Sequence, residues 1–148
     1  MSLGKVPANV AIVEGDAATV VHAKVFKGLR AFNREHAVPP DRAPLVMSAT
    51  DAGGAMVGGL VAESAWKWLF VDLLWVEDGQ RGRGIGRSLL CAAEAEARRR
   101  ECIGVYLDTF DFQARPFYER LGYIVFGTLE DYPPGHSRFY LRKRLVDE

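Results

Sequence analysis

Residues 80–87 read QRGRGIGR and connect a dense apolar run, residues 68–76, to a segment with helical periodicity. A strand, a glycine-rich loop and a helix N-terminus in this order present backbone N–H groups to an anion, and the helix dipole strengthens that field. Arg81, Arg83 and Arg87 add three cations at the positive end of the predicted helix, where each costs roughly 0.3–1 kcal/mol. The pattern therefore indicates a negatively charged ligand at the loop, and a phosphorylated molecule would supply the charge.

The loop differs from two widespread phosphate-binding motifs. No Lys-Ser or Lys-Thr pair follows the glycines, as a Walker loop requires, and Leu89 stands where the dinucleotide-binding fingerprint needs its third glycine. The loop also follows the fourth predicted strand rather than the first. We therefore expect neither a nucleotide hydrolase nor a dehydrogenase, and the structural alternative is a glycine turn with solvated arginines.

The segment after the loop is predicted to be an amphipathic helix that packs on a sheet. Its apolar face consists of five residues at helical spacing: Gly86, Leu89, Leu90, Ala93 and Ala97. The pairs Glu94/Arg98 and Glu96/Arg100 stand at i,i+4 spacing and are expected on the opposite, solvated side.

Strand and helix patterns alternate along the rest of the chain. A short strand at residues 8–13 precedes a helix that Asp16 caps and that ends before Pro39. Six further strands are predicted at residues 45–50, 55–62, 68–76, 104–110, 123–129 and 139–145. With a short helix ended by Gly122, the order β-α-β-β-β-α-β-α-β-β predicts an α/β or α+β domain with helices over a mixed sheet.

Size, charge and hydropathy exclude several classes of protein. The 148 residues and 16.4 kDa suit one domain, residues 1–148. Nineteen basic and nineteen acidic residues balance, which disfavours the broad basic surface of a nucleic-acid-binding protein. The strongest apolar run, residues 68–76, is far shorter than the roughly 20 residues of a membrane span, and the N-terminus lacks a secretory pattern. We therefore expect a cytoplasmic protein without nucleic-acid or membrane partners.

The cysteines and histidines predict no metal site. Cys91 and Cys102 lack a CxxC motif or neighbouring histidines, and both are interpreted as small apolar side chains of the core. His22, His36 and His136 are not related by a metal-ligand spacing. No metal cofactor is expected.

Two sequence blocks resemble the GNAT acyltransferase superfamily. Residues 81–86 (RGRGIG) match its Arg/Gln-x-x-Gly-x-Gly/Ala signature, and residues 117–123 (FYERLGY) match its helix with a tyrosine followed by Leu-Gly-Tyr/Phe. With the element order, the likeness covers nearly the whole chain. The resemblance implies a mixed, mostly antiparallel, twisted sheet of six to seven strands flanked by about four helices.

The resemblance also implies acetyl-CoA as co-substrate. The loop amides would cradle its pyrophosphate, and the edge of the preceding strand would pair with the pantetheine arm. The residues so implied are Leu74, Trp75, Val76, Arg81, Gly82, Arg83, Gly84, Ile85, Gly86 and Arg87. The chain departs from the family at Asp111, where an asparagine often stands seven residues before the tyrosine.

Acyl transfer to an amine needs a proton for the leaving thiolate and a base for the attacking amine. Because the family places its tyrosine beside the sulfur, Tyr118 is the candidate acid, and the alternative is a core tyrosine on an apolar helical stripe. Val76 is the candidate for a backbone N–H that stabilises the oxyanion.

Asp72 is the first candidate for the base. Strict alternation places it on one strand face with Phe70, Leu74 and Val76, where apolar neighbours would raise its pKa. The alternative is an ionised aspartate at the tip of the sheet or one paired with an arginine. Glu63 is the second candidate.

The acceptor pocket is expected between the first helices and the final hairpin. Its candidate residues are Phe32, Asn33, His36, Glu63, Trp66, Trp68 and His136. Each also has an ordinary structural interpretation as a surface histidine or a packed aromatic ring.

The resulting hypothesis is an N-acetyltransferase that moves an acetyl group from acetyl-CoA to a primary amine by direct attack. The acceptor is a small-molecule, protein or peptide amine. The alternatives are a non-catalytic CoA-binding or sensing module and a protein-interaction domain. An edge strand near the C-terminus would also support a homodimer.

Overall fold

The computed structural model describes residues 7–146, which belong to two compact units, Met1–Pro39 and Pro40–Glu148. The described part of the first unit contains the helix α1 (Asp16–His36). The described part of the second contains a six-stranded sheet, the helices α2 (Ile85–Arg99) and α3 (Arg115–Arg120), and a 3₁₀ turn, Asp78–Gln80. None of the helices among the described residues is both long enough and apolar enough to cross a membrane.

Helix α1 confirms the first predicted helix. It ends at His36, and Ala37 already has an extended backbone. Pro39 and Pro40 follow, and each disfavours helical geometry in the residue directly before it, so the helix does not resume. Asp16 is the first helical residue rather than the cap, because Gly15 occupies the cap position with a φ of 66°. Near the end of α1, Nδ1 of His36 lies 2.9 Å from the carbonyl oxygen of Phe32.

The sheet confirms the expected mixed and mostly antiparallel arrangement. Its strands are β1 (Ala43–Thr50), β2 (Met56–Ala65), β3 (Trp68–Val76), β4 (Gly104–Phe110), β5 (Ile124–Glu130) and β6 (Ser137–Arg144). They are ordered β1-β2-β3-β4-β6-β5, and every neighbouring pair is antiparallel except β3 and β4. The described chain has three α-helices where about four were expected.

The predicted strand at residues 8–13 is wrong. The described structure assigns these residues to no strand, and the sheet contains only the six strands named above. An apolar, β-branched run favours extended backbone, but a strand exists only where a neighbouring strand completes its hydrogen bonds. Such a partner is a property of the tertiary structure rather than of the run itself.

Helix α2 covers one face of the sheet with the apolar stripe that its periodicity predicts. Leu89, Leu90, Ala93 and Ala97 are buried, and they share one core with sheet residues such as Leu107. Small side chains at positions 93 and 97 let the helix approach the sheet closely.

Glu94 does not form the surface pair with Arg98 that its i,i+4 spacing predicts. Its side chain is buried, accepts a hydrogen bond from the Tyr123 hydroxyl at 3.0 Å and lies 2.7 Å from Nζ of Lys143. An exposed i,i+4 pair contributes only about 0.3–0.5 kcal/mol, so an interior carboxylate needs these stronger partners instead. The second predicted pair is present, because Arg100 Nε donates to Glu96 at 3.0 Å.

The central strands diverge partway along their length. The parallel pairing of β3 with β4 runs from Trp68 opposite Gly104 to Val71 opposite Leu107 and includes no later residue of either strand. The rest of β3 continues to pair with β2, and the rest of β4 continues to pair with β6. A gap therefore opens at the carboxyl ends of β3 and β4.

Candidate active site

A cleft of about 1040 Å³ occupies the gap between β3 and β4. Its walls are the last residues of both strands, the glycine-rich loop with the start of α2, and helix α3. Carboxyl ends of parallel strands that separate in this way are a common ligand site in α/β sheets. We refer to it below as the central cleft.

The edge of β3 that faces the cleft has free backbone groups. Glu77 N–H donates to the carbonyl of Val57 on β2 at 2.8 Å, so the backbone groups of Glu77 point toward β2. Because the backbone groups of successive residues alternate between the two edges of a strand, those of Leu74 and Val76 point toward the cleft. No β4 residue pairs with this part of β3. An extended polar chain in the cleft could therefore hydrogen-bond to β3 as an added strand would.

The loop that enters α2 depends on glycine for its backbone. Gly82 and Gly84 have φ of 79° and 82°, a left-handed conformation that costs other residues roughly 1–2 kcal/mol. Gly84 is the N-cap of α2, and no side chain caps this end. The first N–H groups of α2 are therefore left to water or to a ligand.

The three loop arginines occupy different surroundings. Arg81 lines the cleft, and its Nε donates to the carbonyl of Val76 at 3.1 Å while Nη1 lies 3.4 Å from Asp78. Arg87 also lines the cleft. Arg83 instead lines a separate hollow of about 290 Å³ beside β1. Thus nine of the ten residues expected at the co-substrate line the cleft, because Arg83 lies on the other side of the loop.

Tyr118 combines a buried ring with a hydroxyl at the cleft. The ring packs edge-on against Phe117 and Tyr123, at centroid distances of 5.1 and 5.9 Å. Its hydroxyl has no hydrogen-bond partner among the described residues, and the side chain lines the cleft. Burial, helped by the charge of Asp108, raises the pKa of Tyr118 to about 12. Tyr118 is therefore protonated near neutral pH and able to donate a hydrogen bond into the cleft.

Asp72 lies in a β-bulge, which corrects the strand face expected for it. Val61 pairs with Leu73 and Ala62 with Val71, so Asp72 is the extra residue between two ladder positions. The bulge interrupts the alternation, and Phe70 no longer shares a face with the residues after Asp72. The carboxylate lines the cleft but is exposed, so the apolar surroundings expected for it are absent.

The cleft also contains an ion pair that the sequence did not indicate. Arg138 on β6 donates from Nε to Asp108 on β4 at 3.0 Å, and Nη2 lies 2.9 Å from the other carboxylate oxygen. Phe110, Phe112 and Tyr132 line the same part of the cleft. Thirty positions separate Asp108 from Arg138, and only the pairing of β4 with β6 places them side by side.

Asp111, the departure from the family pattern, holds the β5–β6 turn in place. Its carboxylate accepts a hydrogen bond from Ser137 N–H at 2.9 Å and lies 2.8 Å from Nδ1 of His136. Desolvation alone would raise the pKa of Asp111, but these partners outweigh it and lower the pKa. His136 therefore lies behind the aromatic wall of the cleft, against Phe112, with ring centroids 5.0 Å apart.

Two further candidates for the acceptor pocket lie outside the cleft. Glu63 is ion-paired with Arg42 at 2.7 Å, and Trp68 packs edge-on against Tyr106 near the paired start of β3. Neither lines the cleft, because the cleft opens only at the other end of β3.

The remaining candidates are found in α1 and in a turn. Phe32, Asn33 and His36 belong to α1, where the rings of Phe32 and His36 stack at 4.2 Å. Trp66 lies in the turn between β2 and β3 with a φ of 47°. Among residues 7–146 no group of three or more histidine, cysteine, aspartate or glutamate side chains could hold a metal ion.

Comparison with known proteins gives a consistent result. The model of the acetyltransferase (GNAT) family matches residues 20–123. The chain is 46% identical over 121 residues to blasticidin-S acetyltransferase of Streptomyces morookaense, which covers 79% of this chain and 88% of that protein. It is 37% identical over 130 residues to an acetyltransferase of Agrobacterium fabrum, covering 85% and 95% respectively. The crystal structure of an acetyltransferase from Bacillus cereus superposes with a TM-score of 0.84 at 28% identity, covering 92% of this chain and 98% of the other.

Proposed function

Because the chain belongs to the acetyltransferase (GNAT) family, we propose that it transfers the acetyl group of acetyl-CoA to a primary amine by direct attack. The observation that carries the proposal is the combination, within one cleft, of a free strand edge on β3 and a glycine-rich helix N-terminus with two arginines. These two features match the two polar parts of a coenzyme that joins an amide-bearing arm to a diphosphate.

The residues present fit such a co-substrate. Leu74 offers its backbone N–H and carbonyl to the amides of the pantetheine arm, in the manner of strand addition, whereas the carbonyl of Val76 already accepts from Arg81. The first N–H groups of α2 lie at the positive end of the helix dipole, which would stabilise the diphosphate, and Arg81 and Arg87 supply further positive charge. The diphosphate and the arm would thus bind to adjacent elements of the same cleft.

In the reaction, the amine nitrogen forms a bond to the acetyl carbon and the carbon–sulfur bond breaks, leaving a thiolate. With a pKa of about 12, Tyr118 is a weaker acid than an ordinary thiol, whose pKa is about 8.5. Full proton transfer to the thiolate would therefore be uphill. We assign Tyr118 the role of a hydrogen-bond donor to the sulfur, which stabilises the charge that develops there.

The amine must lose a proton, because an amine with a pKa of roughly 8 to 10 is mostly protonated at neutral pH. A neutral amine attacks, and its nitrogen becomes strongly acidic as the bond to the acetyl carbon forms. Asp72 is the candidate acceptor for that proton, directly or through water, since its side chain lines the cleft beside the free edge of β3. The N–H of Val76 is the candidate donor to the oxyanion, because strand alternation turns it toward the cleft.

A small-molecule amine is the favoured acceptor. The relative that is 46% identical is named for blasticidin S, which supports a small molecule over a protein or peptide amine. A cytoplasmic location fits the proposal, since the highly charged co-substrate does not cross membranes unaided.

Calorimetric titration with acetyl-CoA tests the proposal. Saturable binding is expected, and S-acetylpantetheine, which lacks the diphosphate, should bind more weakly by a factor of ten or more, taken from the range for charged hydrogen bonds. Arg87→Gln should lower the acetyl-CoA affinity about tenfold. Arg98→Gln, at the other end of α2, is the matched control.

Two outcomes would contradict the proposal. The absence of saturable binding to a folded protein at millimolar acetyl-CoA would overturn it altogether. Binding without thiol release from acetyl-CoA across a panel of amines would instead support the non-catalytic CoA-binding or sensing module.

A further inference from the structure

Three aromatic rings form a shelf along one wall of the central cleft. Phe110 stacks on Phe112 with centroids 5.3 Å apart and planes 2° from parallel, and on Tyr132 at 6.0 Å and 10°. Phe112 and Tyr132 are 57% and 47% exposed, although both line a cleft. We call these three residues the aromatic shelf. Its nearly parallel rings suit a flat ligand better than a branched one.

Arg138 borders the shelf and retains hydrogen-bonding capacity. Its guanidinium carbon lies 5.8 Å from the Phe110 ring centroid and 5.1 Å from that of Tyr132. Asp108 accepts from Nε and its second oxygen lies 2.9 Å from Nη2, while Nη1 has no acceptor among the described residues. A guanidinium with one free nitrogen is well suited to bind a carboxylate.

The charges of the cleft disfavour a polycationic acceptor. The arginines in its lining are Arg81, Arg87, Arg120 and Arg138, against the carboxylates of Asp72 and Asp108. Arg81 and Arg87 are assigned above to the diphosphate and Asp108 is paired with Arg138, so an acceptor with several ammonium groups would find one unpaired carboxylate, that of Asp72. An acceptor with a single amine and a negative group fits this balance better.

The shelf lies close to the proposed reacting centre and is held from behind. Asp108, the partner of Arg138, is near enough to Tyr118 for its charge to act on that hydroxyl. On the far side, Asp111 binds the β5–β6 turn through Ser137 N–H, and the ring of His136 meets Phe112 edge-on. These contacts fix the shelf in advance, which lowers the entropic cost of binding a flat ligand.

We propose, resting on the acetyl transfer proposed above, that the acceptor is an amine bearing both a planar conjugated ring and a carboxylate. The ring lies on the aromatic shelf and the carboxylate binds Nη1 of Arg138. The amine then projects toward Tyr118 and Asp72. The aromatic shelf and Arg138 are thus the specificity determinants of the site.

Calorimetry with four amines tests this inference, with and without saturating CoA. L-tryptophan carries ring, carboxylate and amine; tryptamine lacks the carboxylate, L-alanine lacks the ring, and spermidine is a polycation. L-tryptophan should bind saturably, and each of the others should bind about threefold to tenfold more weakly, the range of one stacking or hydrogen-bonding contact.

A matched pair of variants isolates the shelf. Phe112→Ala should weaken L-tryptophan binding by about threefold to tenfold and leave the affinities for L-alanine and acetyl-CoA unchanged. Phe126→Ala is the control, because Phe126 is 53% exposed on β5 and does not line the cleft. Phe126→Ala should leave the affinities for all four amines unchanged.

Equal binding of L-alanine or spermidine and L-tryptophan would overturn the inference, as would an identical response of the two variants. Thiol release from acetyl-CoA is measured separately with the same amines. L-tryptophan binding that depends on Phe112 without thiol release would support the shelf and count against the acetyl transfer. Thiol release with ring-free amines alone would support the acetyl transfer and count against the shelf.

Discussion

Tyr118 shows how burial sets the chemistry of a single side chain. Its ring is held by Phe117 and Tyr123, and the raised pKa keeps the hydroxyl protonated. Tyr118→Phe removes only the donor, so kcat should fall by about 10- to 100-fold while the acetyl-CoA affinity stays the same, as for one hydrogen bond that acts on the transition state. Steady-state kinetics and calorimetry measure the two quantities.

Tyr106→Phe is the control for Tyr118→Phe, since Tyr106 lies on β4 away from the cleft lining. It should retain full kcat. An unchanged kcat for Tyr118→Phe with a verified acceptor would remove the role assigned to the hydroxyl.

Asp72 and Glu63 are the two candidates for the base, and their pH profiles distinguish them. If Asp72 accepts the amine proton, Asp72→Asn should lower kcat/KM by about 100-fold and abolish the acidic limb of its pH profile. Glu63→Gln should keep that limb, because Glu63 is ion-paired with Arg42 outside the cleft. A preserved acidic limb in Asp72→Asn would exclude Asp72 as the base.

Within the loop and α2, the left-handed backbone of Gly84 sets where the helix begins. Gly84→Ala should destabilise the protein by about 1 kcal/mol in urea unfolding, because a Cβ is disfavoured at a φ of 82°. It should also weaken acetyl-CoA binding, since the first N–H groups of α2 move with the loop. Gly28→Ala, within α1, is the contrasting control and should stabilise by about 0.5–1 kcal/mol.

The other end of α2 gives a pH-dependent prediction. Glu96 accepts hydrogen bonds from Arg99 and from Arg100, which lower its pKa from 4.5 to about 2. A carboxylate whose pKa is lower in the folded state stabilises the protein above its unfolded pKa, and this stabilisation is lost as the pH falls toward the folded pKa. The stability difference between the wild type and Glu96→Gln should therefore be constant above pH 5 and disappear near pH 2.

Urea unfolding at several pH values measures that difference. Glu130→Gln is the control, because Glu130 is exposed on β5 and has no ion pair among the described residues. A Glu96→Gln difference that grows as the pH falls would contradict the assignment. Arg100 also connects this end of α2 to β1, since its guanidinium donates to the carbonyls of Ala43 and Pro44.

For the sheet and α2 together, the buried contacts of Glu94 connect elements far apart in sequence. Glu94 on α2 accepts from Tyr123, just before β5, and pairs with Lys143 on β6. Burial, with the adjacent Glu94 charge, raises the pKa of Tyr123, which therefore stays a donor. Lys143→Met should destabilise the protein by about 3 kcal/mol, because it leaves a buried carboxylate without its cation.

The double variant Glu94→Gln with Lys143→Met distinguishes a buried charge from lost packing. Glutamine keeps an acceptor for the Tyr123 hydroxyl without a charge, so more than half of the lost stability should return. Chemical unfolding of the wild type, both single variants and the double variant forms the complete cycle. Losses that simply add would mean that the two side chains are not coupled.

The local chemistry of the chain was enough to predict the loop, the stripe of α2 and most of the strands. The positive φ of Gly84 and the apolar spacing of Leu89, Leu90 and Ala93 concern neighbours within a few residues, whose backbone preferences act wherever the segment lies. The order of the elements followed from these short-range patterns, whereas the co-substrate residues at the loop were expected from the family resemblance. Cys102 is buried as expected, but the same expectation for Cys91 is wrong, because Cys91 is exposed and lies outside the buried stripe of α2.

What the tertiary structure alone decided is which distant residues meet. The pairing of β4 with β6 brings Arg138 to Asp108, the separation of β3 from β4 opens the cleft, and the bulge turns Asp72 out of the expected alternation. The burial of Glu94 likewise depends on Lys143, 49 positions away. Such contacts arise from the packing of whole elements, where burial and long-range hydrogen bonds outweigh the weak preferences of any single segment.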